Sequence, residues 1–184
     1  MDSMQAIKER RSVRAYKPDP IPEAKLRKIL EAVQWAPSWA NTQCWEVIIV
    51  KDAAIKKQLA ETLPPGNPSR EAIVQAPVTL AVLGIKGRAG FYKGAAATDK
   101  GDWYMFDCGL ATQNLCLAAH AEGLGTVIVG LFDAPKAAKV LQVPEDKAVV
   151  IITPLGLPEK APAPPRRKDI EEFVYHEIYG KQRG

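Results

Sequence analysis

One segment restricts the fold more than any other. From Asp102 to Glu122 the chain reads DWYMFDCGLATQNLCLAAHAE, and Gly123 follows. Asp102 can cap a helix start and Gly123 can stop one, so a single helix is expected over 102–122. Its apolar residues lie nearly all round rather than in one stripe. Such a helix belongs at the centre of a globule, packed on every side. It does not read as a membrane span. The apolar stretch Leu110 to Ala121 is interrupted by Thr112, Gln113, Asn114 and His120, and a span needs about 20 apolar residues.

A buried helix needs layers around it. In Glu23 to Ala36, Leu26, Ile29, Leu30 and Val33 recur at helical spacing between charges, which predicts an amphipathic helix that ends before Pro37. Shorter helices are expected at Met4–Arg11, Ala53–Leu63 and Ala134–Leu141. Strands are expected at Cys44–Val50, Val78–Leu83, Thr126–Leu131 and Ala148–Thr153. Gly84 to Gly101 is glycine-rich and irregular, with Phe91 and Tyr92 inside it. Ala161 to Pro165 is proline-rich and should leave the globule as an extended tail. Ile170–Tyr179 reads as a last short helix or a strand-like tail. Interleaved helices and strands define an α/β or α+β domain. No repeat or linker divides the 184 residues, so one domain is expected over 1–184.

Composition narrows the function classes. Lys and Arg number 25 against 21 Asp and Glu, a formal charge of +4. That excess is too small for a surface built on nucleic acid. Three cysteines with no C-x-x-C argue against a disulfide framework and for a reducing cytoplasm. Two distant histidines without an HExxH pattern give no reason to expect a metal. The N-terminus lacks an apolar signal core. A soluble cytoplasmic protein without membrane or nucleic-acid partners is the expectation.

Four stretches could carry chemistry. ERRSVRAYKP, positions 9–18, gathers Arg10, Arg11, Arg14 and Lys17 around Ser12. Basic residues at a helix end can simply complement its dipole. A second cluster, Arg166-Arg167-Lys168, follows the prolines, and two such clusters could hold a phosphate between guanidinium forks. APSWANTQCW, positions 36–45, sets Ser38, Asn41, Thr42 and Gln43 between Trp39 and Trp45. This is ordinary turn chemistry or a set of amides and rings that reads a heterocycle. GIKGRAG, positions 84–90, is G-x-x-G-x-x-G with no helix opening after it, so it is not a dinucleotide fingerprint. In GLGTVIVGLFD, positions 123–133, Gly130 falls at a strand end, where glycine often marks close approach of a ligand. No Ser-His-Asp triad or carboxylate pair can be assembled, which points to a cofactor as the reactive group.

Taken in order, AIKERRSVRAY, APSWANTQCWEVIIV, FDCGLATQNLCLAAHAEGLGT and PLGLPEKAPAPPRRK resemble the FMN-dependent nitroreductase family over nearly the whole chain. The resemblance implies an α+β fold with a mixed, largely antiparallel sheet flanked by helices. It also implies an intertwined homodimer with FMN at the interface, and a C-terminal extension over about 157–184 that reaches the partner. By that analogy Arg10, Arg11 and Ser12 hold the phosphate and ribityl end, and Arg14 lies at the pyrimidine edge of the flavin. Pro37, Ser38, Trp39 and Asn41 come from the other subunit, with Gln43 assisting. Gly130 and Leu131 offer backbone groups near flavin N5 and O4. Arg166 and Arg167 complete the phosphate site, and Asn67 is a further residue for the ring. Trp39 is bulkier than the small residue frequent there, and Leu131 stands where glycine is common.

The implied activity is ping-pong transfer from NAD(P)H through the flavin to nitroaromatics, quinones or related acceptors. No side chain need act as a nucleophile, and Arg14 would stabilise charge electrostatically. Phe91, Tyr92, Trp103 and Tyr104 are candidates for the acceptor pocket. Flavin storage without turnover, and a flavin-fragmenting or dehalogenating activity, are the alternatives on the same fold.

Overall fold

The computed structural model describes residues 2–160 and 162–182. Helices α1 (Ser3–Glu9) and α2 (Glu23–Gln34) precede strand β1 (Trp45–Val50). Helices α3 (Ala53–Ala60) and α4 (Ser69–Gln75) lead to β2 (Val78–Ile85). A small hairpin, β3 (Phe91–Tyr92) and β4 (Ala95–Ala96), comes before α5 (Tyr104–Ala121). Then β5 (Gly125–Thr126), α6 (Ala134–Val140) and β6 (Lys147–Gly156) complete the body.

The main sheet runs β1-β2-β6-β5, and its three pairings are all antiparallel. A parallel bridge joins Ser12 to Thr126, so the sheet is mixed and largely antiparallel, in an α+β domain. Both faces of the sheet are covered. Leu80 and Val82 of β2 meet α2 (Leu26, Ile29, Val33) and α5 (Leu115, Cys116). Ala81 and Leu83 face the other way, toward Leu59 of α3, Ile73 of α4 and Ala137 of α6. This period of two explains why β2 is a continuous apolar run. In β6, Ile151 and Leu155 join the first layer but Val149 joins the second. The pairing skips a residue between Val82–Ile151 and Leu83–Val149, and such a bulge switches the face of the strand.

Several expectations shift at their edges. Helix α1 ends at Glu9 and α2 at Gln34. Helix α4 was not expected: its seven residues are too few to display a period. The strand expected at Thr126–Leu131 keeps only Gly125–Thr126 in the ladder, with Val129 returning as a single bridge to Ile152. Trp103, not Asp102, is the cap residue of α5. Asp102 still accepts the Tyr104 N–H (3.2 Å), and it also accepts the Gly87 N–H (2.6 Å), tying the glycine-rich segment down.

The larger correction concerns α5. It lies centrally, with Cys108, Ala111, Leu115 and Ala119 buried. It is not enclosed on every side, because Met105 and Phe106 are 56% and 57% exposed. The tail, residues 162–182, is exposed throughout. Its one ordered turn, Ile170–Glu172, carries a capping box from Asp169. Ala161 of the proline-rich stretch lies outside the described residues.

Candidate functional site

The arginine segment is fixed by its neighbours in the chain's second half. The Val13 N–H donates to Thr126 O (2.9 Å), Lys17 N–H to Leu157 O (2.9 Å) and Glu159 N–H to Ala15 O (3.0 Å). Tyr16 is buried, and its hydroxyl donates to Val13 O (2.6 Å). Burial raises its phenol well above the ordinary value, so it stays a neutral donor. At Gly125 a Cβ would stand 2.7 Å from Val13 Cγ2. Only glycine lets the two backbones approach this closely.

This placement opens a cleft of about 300 Å³. Arg10, Arg11, Ser12 and Arg14 line one side, and Pro162, Ala163, Pro165 and Arg167 line the other. Two basic clusters far apart in sequence therefore face one volume. Arg11 has a second role, since its Nη1 donates to Lys8 O (2.6 Å) and Arg10 O (2.9 Å). The helix-end reading of the cluster is correct for that residue. Arg166 does not line the cleft.

A second cleft, of about 490 Å³, adjoins the first at Arg14. Its walls are residues 64–69 and Ile128, Val129, Gly130 and Leu131. Asn67 belongs to it, with its Oδ1 accepting the Ser69 N–H (2.9 Å). A Cβ at Gly130 would meet nothing within 4 Å, so no neighbour in the protomer demands glycine there. Leu131 is 68% exposed beside it. No Asp or Glu lines either cleft. A basic, carboxylate-free end joined to a wider end of mixed polar and apolar lining fits a ligand with a phosphate at one end and a ring system at the other. These residues fit FMN.

The segment 37–43 lines neither cleft. It forms a tight 3₁₀ turn at Trp39–Asn41 with left-handed backbone at Ala40, Asn41 and Gln43 (φ 43°, 54° and 48°). The turn is closed from within: the Gln43 N–H donates to Ser38 Oγ (2.9 Å) and Gln43 Nε2 to Asn41 Oδ1 (3.2 Å). The Trp39 N–H donates to both carboxylate oxygens of buried Asp107 (3.2 and 3.1 Å). The single chain thus gathers Arg10, Arg11, Ser12, Arg14, Gly130, Leu131 and Arg167 around the two clefts. It leaves Pro37, Ser38, Trp39, Asn41 and Gln43 elsewhere.

Two contributors go beyond the sequence reading. Of the wall formed by residues 64–69, only Asn67 was expected; its prolines, Gly66 and Ser69 have no catalytic residue type to flag them. Asp107 had a signal that went unused, being a lone acid inside an otherwise apolar helix.

A family model for the nitroreductase family matches residues 7–157, and the chain belongs to that family. The FMN reductase [NAD(P)H] of Bacillus subtilis is 35% identical over 140 residues, covering 69% of this chain and 53% of that protein. A 5,6-dimethylbenzimidazole synthase of Rhodobacter capsulatus is 30% identical over 175 residues, covering 84% of this chain and 83% of that one. The crystal structure of a nitroreductase family protein from Clostridium novyi NT superposes with a TM-score of 0.78 at 28% identity, covering 99% of this chain and 97% of the other.

Proposed function

We propose that this chain is an FMN-dependent oxidoreductase that uses NAD(P)H to reduce nitroaromatics, quinones or related acceptors. The observation that carries this reading is the pair of carboxylate-free clefts meeting at Arg14. Similarity to a protein named FMN reductase [NAD(P)H] supports the cofactor and its reductant. Similarity to a dimethylbenzimidazole synthase means that family membership alone does not choose the acceptor.

When bound, FMN supplies the hydride chemistry that protein side chains lack. The chain's own work is binding and electrostatics. Arg10, Ser12 and Arg167 would hold the phosphate through charge-assisted bonds. Arg14, shared by both clefts, would set a fixed positive charge at the pyrimidine edge, where negative charge accumulates on reduction. The Gly130–Leu131 backbone would lie along the ring without a side-chain obstruction at Gly130.

We further propose a homodimer. Met105 and Phe106 on α5 are exposed, and so is Trp35 (77%). A second copy on this face would bury them, and it could present its 37–43 turn to the cleft of the first. The exposed tail supplies a further arm for the partner. Among the described residues no helix is long and apolar enough to cross a membrane. The three cysteines are buried and free, which agrees with the cytoplasmic placement we propose.

The test is the visible spectrum of the purified protein, followed by rapid mixing with NADH and with NADPH. The proposal expects flavin bands that bleach with at least one nicotinamide and return on addition of a quinone. A flavin that neither nicotinamide bleaches would mean storage rather than turnover.

A further inference from the structure

Asp107 is the single buried carboxylate among the described residues, at 1% exposed. No salt bridge offsets its charge there. Burying a carboxylate is costly unless specific hydrogen bonds compensate. Its position in the first turn of α5 recovers part of that cost through the helix dipole. Its direct donors are few: the Trp39 N–H and the Cys44 thiol, the latter at 3.4 Å. The group it holds is therefore the backbone of the 37–43 turn.

That turn has reason to need holding. Its three left-handed non-glycine residues adopt a disfavoured backbone that persists where surroundings impose it. The clamp also fixes a side chain. The Trp39 ring packs on Trp103 (centroids 5.2 Å, 40°), and Trp103 meets Phe106 edge-on (5.5 Å, 75°). Trp103 is anchored in turn: its N–H donates to Ala89 O (3.0 Å) and its Nε1–H to Thr98 Oγ1 (3.0 Å). A row of three rings thus runs from the turn, through Trp103, to Phe106 of α5, with Asp107 bound to the backbone of its first member.

We propose that Asp107 is a positioning residue that locks the Trp39 indole against Trp103. The locked row then offers a flat aromatic wall to the acceptor pocket, which favours planar aromatic acceptors over non-planar ones. The pocket half of this inference rests on the flavin reading above, because Trp39 stands between Ser38 and Asn41, the residues expected to meet the partner's flavin. The clamp half does not.

The experiment has two arms. In flavin-free protein, two stacked indoles give an exciton couplet in far-ultraviolet circular dichroism. Asp107→Ala should abolish it. Asp107→Asn, which still offers an oxygen to the Trp39 N–H, should retain it. Asp107→Leu fills the space without an acceptor, and it should lose the couplet too, so the test survives if the alanine variant does not fold. A couplet retained in folded Asp107→Ala or Asp107→Leu would overturn the clamp.

In the FMN-saturated dimer, Asp107→Leu should raise the KM for a naphthoquinone about tenfold. The KM for ferricyanide should change by less than about twofold; saturating FMN is used because loosening the turn also loosens Ser38 and Asn41. In a Trp39→Ala background the same substitution should leave the naphthoquinone KM unchanged. An equal rise in both backgrounds would mean that Asp107 does not act through Trp39, and would overturn the proposal. Wild-type protein that takes up no FMN would defeat the flavin reading while the couplet still decides the clamp.

Discussion

The arginine cleft and the 37–43 turn are both rich in polar groups, but they treat them in opposite ways. In the cleft, Arg10 has no side-chain hydrogen bond among the described residues. Arg14 and Arg167 have only long contacts of 3.3–3.5 Å to carbonyls one or two residues away. In the turn, Ser38, Asn41 and Gln43 bond to one another, and Trp39 is tied to Asp107. Uncommitted donors mark a place where a ligand is received. Groups bonded mostly to one another in a strained backbone, with only the buried Thr42 hydroxyl left without a partner among the described residues, mark a shape made in advance and presented to something else. The difference teaches that the chain holds a receiving half and a projecting half that do not meet within one copy, which is why we propose that a second copy joins them.

The strongest way to break this comparison is to remove the tail. Truncation after Lys160 deletes Arg167 from the cleft wall and the arm proposed for the partner. Each lost charge-assisted bond is worth about 1.5–3 kcal/mol. Because the dimer interface is weakened at the same time, FMN affinity should fall on the order of a hundredfold or more. Sedimentation with flavin quantitation checks this. A stable monomer that keeps its flavin would contradict the two-copy site.

Single arginines sharpen the receiving half. Arg10→Ala or Arg167→Ala should weaken FMN about tenfold or more and leave riboflavin, which lacks the phosphate, nearly unaffected. Arg166→Ala, outside the cleft, should change either ligand by less than about twofold. Fluorescence titration of the flavin-free protein measures both. Equal losses for FMN and riboflavin would remove the phosphate from this cleft.

The smallest expected effect belongs to Arg14. Loss of its charge should lower the flavin midpoint potential and slow reduction, with less effect on binding of oxidised FMN. A differential of about 1.4 kcal/mol corresponds to roughly 30 mV for a two-electron couple. A dye-equilibrated titration of wild type and Arg14→Ala, both saturated with FMN, reads it. An unchanged midpoint would make Arg14 an ordinary surface cation.

Much of the receiving half was legible in the chain itself. ERRSVRAY and PPRRK announce convergent guanidinium groups by residue type alone, and the resemblance put them at one phosphate. Apart from Asn67, named by the resemblance, the 64–69 wall was not legible, because prolines, a glycine and a serine carry no chemical label until Arg14 is brought beside them. The body of the fold read well where periods are long, as in α2, or where apolar runs are continuous, as in β2. It read poorly at α4 and at the broken strand after Thr126, where a few residues of local pattern yield to tertiary pairing. Helix α5 was placed at the centre, but its open face could not be told from its buried one. Both are apolar, and only packing separates them.

The central claim is that a complete site joins the arginine cleft of one subunit to the turn of the other. Mixed dimers test it most directly. One subunit would carry Arg10→Ala, and the other Ser38→Ala with Asn41→Ala. Each homodimer should bind FMN weakly. If the halves meet across the interface, the mixed dimer unites both defects in one site and leaves the second site wild type. Titration should then return tight FMN binding at half the wild-type stoichiometry. If cleft and turn serve the same subunit's site, both sites of the mixed dimer stay defective, and the absence of any tight-binding fraction would contradict the account.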